Sequence, residues 1–279
     1  MMLALFPHSQ KKESRHLAIS IQEFLTTRGA QVVAEDEEAP QIGAIPLSEV
    51  NPKEIDFIVS MGGDGTILRL VHKYAELDAA VIGINLGHLG FMADIPLTDL
   101  YPSLQDLISG NYAIDERLSI EGELPSGETF FAVNDIVVHR GVNPSLVEMG
   151  IHVDDLYLNT FEADGIIVAT PNGSTAYSLA AGGPIVTPSL NAFVLTPVSP
   201  HTISNRPMVL TADQTIQIQY LSAYDALSVS ADGITHHELK TGDVLKIRRG
   251  KKVFRMVHLI RRDYFSTLRS KLNWSGKLR

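Results

Sequence analysis

The stretch Ile55-Asp56-Phe57-Ile58-Val59-Ser60-Met61-Gly62-Gly63-Asp64-Gly65-Thr66-Ile67-Leu68-Arg69-Leu70 decides the fold. Ile55–Met61 is a nearly continuous apolar run, as a strand covered on both faces requires. Thr66–Ala75 has helical spacing, and the glycine-rich turn between the two completes a strand–turn–helix unit. Upstream the same grammar repeats. Leu3–Phe6 reads as a strand. A helix follows with Leu17, Ile21, Phe24 and Leu25 on one face and Gly29 as its stop. Gln31–Ala34 is a second strand. The acidic stretch Glu35–Glu54 reads as connection, with Ile45–Leu47 as a short strand inside it. Downstream, Ala79–Asn85 is the next strand. Alternating elements of this kind predict an α/β domain with a parallel sheet over residues 1–98.

After about Asp99 short alternating segments take over: Phe130–His139, Val147–Val153, Asp155–Phe161, Ile166–Thr170, Thr215–Tyr220, Ala226–Ala231, Val244–Arg248 and Val253–Ile260. Asp154-Asp155, Asp232-Gly233 and Arg249-Gly250 supply turn signals between them. Residues 99–260 are therefore expected to form an all-β, antiparallel, sandwich-like C-terminal domain, interrupted by one helical patch around Ser174–Ala181.

The 279 residues carry a formal charge of −9, which disfavours nucleic-acid or anionic-membrane partners. No apolar run approaches the roughly 18 residues of a membrane span. Met1–Pro7 lacks the charged start of a signal peptide and reads as the first strand. The chain has no cysteine, so disulfides and thiolate chemistry are excluded, and a cytoplasmic location is expected. His139, His152, His201, His236 and His237 do not have metal-motif spacing, and no protein-held metal site is expected. Lys246–Arg279 is strongly basic. It reads either as a solvated edge or as a basic wall beside an anionic nucleotide or a neighbouring subunit.

Gly62-Gly63-Asp64-Gly65-Thr66 lies where ligands of open α/β sheets bind, beyond a strand's carboxyl end and at a helix N-terminus. Glycines let backbone N–H groups approach phosphate oxygens. Asp64 then has two readings. It caps the helix, or it serves phosphate chemistry by binding Mg²⁺ or by accepting a proton from an attacking hydroxyl. The chain has neither a Walker loop nor a Gly-x-Gly-x-x-Gly fingerprint, which disfavours hydride transfer on a standard dinucleotide site. The turn resembles the signature shared by NAD kinases, diacylglycerol and sphingosine kinases and, more distantly, phosphofructokinases. That resemblance implies phosphoryl transfer to a hydroxyl.

Three further motifs bear on the substrate. In Asn85-Leu86-Gly87-His88-Leu89-Gly90-Phe91, Phe91 offers a face to a flat ring, while His88 is either a phosphate donor or a structural histidine. Asn134-Asp135 interrupts an apolar strand, and it either marks a strand edge or bulge or offers donor and acceptor groups to a base edge or a ribose. Asp164 through Ser178 combines an acid, a buried strand, a turn, and a helix start expected to be capped by Ser174 or Thr175. The N–H groups there, with the hydroxyls of Thr175 and Ser178 and the ring of Tyr177, suit an anion or a ribose.

The Asp164–Ser178 run, with Gly182-Gly183-Pro184-Ile185, Thr196-Pro197-Val198-Ser199-Pro200-His201, Asn205-Arg206-Pro207 and the tail from Asp263 to Trp274, closely resembles the NAD kinase family over nearly the whole chain. The resemblance implies a kinase that moves the terminal phosphoryl group of ATP, or of another donor, to NAD. It further implies a divalent cation such as Mg²⁺ held mainly through substrate phosphates, a C-terminal segment (261–279) packed on the first domain, and a homodimer or homotetramer. By position, Asp64 matches the catalytic acid. Gly65 and Arg69 match phosphate-side positions, with Gly62, Gly63 and Thr66 completing the same glycine turn, and Asn134 and Asp135 match the pair that holds NAD. Asp164, Thr175, Ala176 and Tyr177 match further NAD contacts. Three positions depart from the pattern: Asp135 stands where Glu is frequent, Glu162 where some relatives carry a basic residue, and Ile234 where Gln is common. A lipid kinase and a non-catalytic NAD(P) sensor are the competing functions. The acidic charge disfavours the first, and Asp64 disfavours the second.

Overall fold

The buried apolar runs assemble into a parallel sheet. In the computed structural model, which describes residues 1–7, 12–87 and 90–274, the chain begins with β1 (Met2–Phe6), α1 (Lys12–Thr26), β2 (Gln31–Ala34), α2 (Ala39–Ile42) and β3 (Ile45–Pro46). It continues through β4 (Phe57–Gly62), α3 (Asp64–Lys73), β5 (Ala80–Asn85), β6 (Ile95–Pro96) and α4 (Leu100–Ile108). The strands run parallel in the order β5-β4-β1-β2-β3, with β6 beside the end of β5. Every residue of β1, β4 and β5 is buried. This is why these strands read as continuous rather than alternating apolar runs. Leu3, Leu5, Ile21, Leu25, Val59, Ile82 and Ile84 lie in the core.

The remaining elements are β7 (Tyr112–Glu123), β8 (Thr129–Ala132), β9 (Asp135–His139), β10 (Val147–Val153), β11 (Leu156–Ala163), β12 (Gly165–Ala169) and α5 (Tyr177–Ala180). After them come β13 (Ala192–Val198), β14 (Met208–Thr211), β15 (Ile216–Tyr220), β16 (Leu227–Ala231), β17 (Thr235–Leu239), β18 (Val244–Leu259) and α6 (Tyr264–Lys271). The chain divides into two units, Met1–Asp115 with Arg255–Arg279, and Glu116–Phe254. In the second unit β11-β10-β15-β18, extended by β7 and β8, form one sheet and β14-β13-β12-β9-β16-β17 the other. Met149, Ile151 and Ile218 from the first sheet and Ile136, Val168 and Val229 from the second share one core. The expected sandwich is what forms.

Four local expectations differ. The boundary drawn after residue 98 falls after Asp115, because Leu100, Leu104 and Leu107 of α4 are buried in the first unit's core. Phe130–His139 is two strands in different sheets, because Asp232 takes the N–H groups at the break. Arg249-Gly250 does not turn: β18 runs straight through it, paired with β15 and β7, so strand pairing overrides the local signal. The helix after the glycine turn begins at Asp64 rather than Thr66.

Five arginines of the basic tail, Arg248, Arg249, Arg255, Arg261 and Arg262, are paired with carboxylates. Within the first unit, Arg261 meets Asp99 at 2.7 Å and Arg262 meets Asp99 at 3.0 Å and Asp94 at 3.3 Å. Burial opposes ionisation of Asp99, but the Arg261 hydrogen bond and the two guanidinium charges outweigh it and hold that carboxyl below its ordinary value. Residues 275–279 of the tail lie outside the described residues.

Candidate active site

In the first unit, Gly62 ends β4 and Gly63 precedes α3 in an extended conformation. A Cβ on Gly63 would point into open space, which leaves room for a ligand against the backbone. Gly65 and Thr66 lie in the first turn of α3, where the Thr66 N–H already donates to the Gly63 carbonyl at 2.9 Å and the N–H groups of Asp64 and Gly65 lead the helix without an acceptor inside it. Gly65 and Arg69 are exposed, and Arg69 Nη2 donates to Thr66 Oγ1 at 3.4 Å. Free N–H groups, a positive helix end and a guanidinium make this turn suited to phosphate.

Asp64 does not cap α3. Its Oδ2 accepts the N–H of Phe91 at 2.8 Å, and its Oδ1 accepts those of Met92 at 3.0 Å and Ala93 at 2.8 Å. That loop is pinned by buried Asn85, whose Nδ2 donates to the Ala93 carbonyl at 3.0 Å and whose Oδ1 accepts the Gly87 N–H at 2.7 Å. Gly90 is required by close approach, since a Cβ there would overlap Asp64 Oδ1. A carboxylate offers about four lone-pair positions. Three N–H groups occupy most of them, and Oδ2 keeps capacity for one more donor. Phe91 thus serves Asp64 through its backbone, while its ring lies 5.5 Å from Lys271 Nζ. His88 lies outside the described residues.

In the second unit, Asn134, Asp135, Val137, Ala176, Tyr177, Ser230, Asp232 and Gly233 line a pocket of 290 Å³. Asn134 and Asp135 are buried, and Tyr177 is exposed at the rim. Burial, and then the nearby Asp232 charge, push the Asp135 carboxyl up to about 7. A carboxyl titrating near neutrality beside an amide can both donate and accept toward a ligand. Asp232 makes this geometry. In a left-handed conformation, φ 53°, its carboxylate accepts the N–H groups of Val133 at 2.8 Å, Asn134 at 2.7 Å and Asp135 at 3.2 Å.

Other expected site residues lie elsewhere. Asp164 sits at the end of β12 opposite the Ala169–Asp135 pairing, roughly 16 Å away by strand rise. Its Oδ1 accepts Arg140 Nε at 2.6 Å. Ser178 is buried and bonds Thr196 Oγ1 at 2.9 Å. Thr175 Oγ1 donates to the Asn172 carbonyl at 3.2 Å. The expected cap is absent: Ser174 Oγ bonds the Pro171 carbonyl and the Val186 N–H instead, tying the loop to the segment after α5. In the sequence Asp232 reads only as a turn residue and Asn172 only as part of the turn after β12. The one local signal was an acid before glycine at a strand end.

A second hollow, 490 Å³ in the first unit, is lined by Glu35, Asp36, Glu37, Leu47, Ser48, Lys73 and Tyr74. Lys73 there is already paired with Glu35 at 2.6 Å. Its acidic lining repels phosphate. Among the described residues no three His, Asp or Glu side chains converge as a metal set.

A glycine turn at a helix N-terminus with an anchored carboxylate, and a buried polar pocket in a β-sandwich, define a nucleotide-dependent phosphotransferase. Residues 46–112 match the ATP-NAD kinase N-terminal domain and residues 133–259 the ATP-NAD kinase C-terminal domain. The chain belongs to the NAD kinase family. It is 52% identical over 278 residues to the NAD kinase of Protochlamydia amoebophila, with both chains covered in full. It is 38% identical to that of Methylibium petroleiphilum, covering 98% of this chain and 94% of the relative. Among solved structures, yeast NADH kinase complexed with NADH matches with a TM-score of 0.86 at 27% identity, over 100% of this chain and 89% of that one. An NAD kinase from Archaeoglobus fulgidus in complex with ATP matches with a TM-score of 0.76 at 25% identity, over 99% and 100%. None of these relatives is a lipid kinase or a non-catalytic sensor by name. No helix among the described residues is long and apolar enough to cross a membrane.

Proposed function

We propose that this chain transfers the terminal phosphoryl group of ATP to the 2′-hydroxyl of the adenosine ribose of NAD, forming NADP. The observation that carries the chemistry is the Asp64 carboxylate, fixed by three backbone N–H groups with Oδ2 still able to accept one donor. That donor is the attacking hydroxyl. Phosphoryl transfer has a loose transition state, so orientation outweighs strong basicity, and Asp64 takes the proton late. The N–H groups at the start of α3, with Arg69, take up charge on the transferred group. Asn134, Asp135, Ala176 and Tyr177 hold NAD.

A divalent cation such as Mg²⁺ would supply charge neutralisation to the donor phosphates. With most of its acceptor capacity given to N–H groups, Asp64 is poorly placed as a chelating ligand, which favours a cation carried by the phosphates and water. The family resemblance favours a homodimer or homotetramer, and the absence of cysteine suits the cytoplasm.

The test is an assay of purified protein with NAD, ATP and Mg²⁺, reading NADP with an NADP-specific dehydrogenase. NADP formation that disappears in Asp64→Asn is the expected result. Undiminished formation in that variant would remove Asp64 from the reaction, and no NADP from any phosphoryl donor would remove the proposed activity.

A further inference from the structure

Asn134 is held on every side but one. Its backbone N–H donates to Asp232 Oδ1 at 2.7 Å, and its carbonyl accepts the Thr170 N–H at 2.8 Å. The backbone cannot swing, so the remaining freedom is a flip of the side-chain amide. Two side chains remove it. Asn172 Nδ2 donates to Asn134 Oδ1 at 2.6 Å, and Arg117 Nη1 donates to Asn172 Oδ1 at 2.5 Å.

The direction of this series follows from chemistry rather than from how an isolated amide is drawn. A guanidinium has donors and no acceptor. Asn172 must turn its oxygen to Arg117, which leaves its nitrogen facing Asn134. Asn134 can answer only with oxygen. The group left at the pocket is therefore Asn134 Nδ2.

We propose that Arg117 and Asn172 are positioning residues that fix the polarity of the Asn134 carboxamide, so that the pocket presents an N–H donor to an acceptor atom of NAD. The inference rests on the reading of this pocket as the NAD site. An inverted amide would set a carbonyl oxygen against that acceptor, losing a hydrogen bond and adding repulsion. Buried sites built around hydrogen bonds reject such mismatches strongly.

Asn172→Asp tests this with almost no change of shape. Its carboxylate keeps Arg117 as a partner but demands a donor from Asn134, which turns Nδ2 inward and Oδ1 to the pocket. The expected loss of NAD affinity by calorimetry is at least ~10-fold, with a matching rise in KM for NAD, kcat within about threefold and thermal unfolding little changed. Arg117 supplies the second contrast. Arg117→Lys still offers only donors and keeps NAD affinity within about threefold, whereas Arg117→Gln can present either end and loses more. A merely structural Arg117 predicts equal affinity for both.

Unchanged NAD affinity in a folded Asn172→Asp protein would overturn the proposal. So would equal affinity in the two Arg117 variants, the deciding comparison if Asn172→Asp fails to fold. Wild-type protein that does not bind NAD would instead sink the pocket reading, and the proposal with it.

Discussion

Asp64 Oδ2 accepts the backbone N–H of Phe91 at 2.8 Å, so the acid that follows β4 is held by the loop that follows β5. The two strands are neighbours in register, Gly62 beside Asn85, which brings their carboxyl-end loops together. The same device recurs in the second unit, where Asp232 gathers the N–H groups of residues 133–135. In each case a carboxylate fixes backbone that a ligand must approach, and each yields a prediction.

Replacing Asp64 by Asn removes the proton acceptor and places an NH₂ group against at least one backbone N–H of residues 91–93. Turnover is expected to fall at least ~10²-fold. The donor–donor conflict costs about 1–3 kcal/mol, so thermal unfolding shifts down as well. Steady-state NADP formation and a melting curve on the same preparation check both parts. A variant that melts lower yet turns over normally would leave Asp64 as a loop anchor only.

Gly90→Ala tests the anchor without replacing the acid. The added methyl overlaps Asp64 Oδ1, so the loop and the carboxylate must separate. Turnover should drop by about tenfold or more, since small misplacements of a reacting group are costly. NAD affinity by calorimetry should fall less than turnover, because the pocket proposed to hold NAD belongs to the second unit. Equal loss of affinity and turnover would contradict the assignment.

How far the sequence could be read depended on the range of the cause. Gln31–Ala34 and Val147–Val153 were legible because burial and alternation act over a few residues. Residues 130–139 looked like one strand because the carboxylate that divides them comes from Asp232, about a hundred residues later. The family resemblance groups Asp164 with Thr175 as NAD contacts. The extended strand between them puts Asp164 at its far end, on Arg140. The glycine turn is legible as a candidate phosphate site, but nothing near Asp64 in the sequence tells which N–H groups hold its carboxylate.

Asp232→Ala is expected to leave three backbone N–H groups without their acceptor at the edge of the pocket. Unpaired buried donors cost about 1–3 kcal/mol each, so stability falls and the Asn134–Asp135 geometry loosens. NAD affinity should fall at least ~10-fold, a larger effect than removing a rim hydroxyl. Calorimetry on Asp232→Ala beside Ser230→Ala makes the comparison, and equal small losses would show that Asp232 is dispensable.

Asp135 makes stability depend on pH in the direction opposite to a salt-bridged acid. Its folded carboxyl titrates at about 7, against 3.8 for an unperturbed aspartate, because burial and the Asp232 charge disfavour ionisation. Between those values the folded chain keeps a proton that the unfolded chain has released. The unfolded state then binds fewer protons, so stability falls as pH rises from about 4 to about 7 and levels off above that. Three pH units correspond to at most about 4 kcal/mol from this group. Asp135→Asn has nothing to titrate. The variant should melt close to wild type near pH 4 and progressively higher than wild type up to pH 7, with a constant gap beyond. Melting curves of both proteins without ligand decide it: parallel profiles across that range would mean that Asp135 ionises at its ordinary pH and that the pocket is wetter than its burial implies.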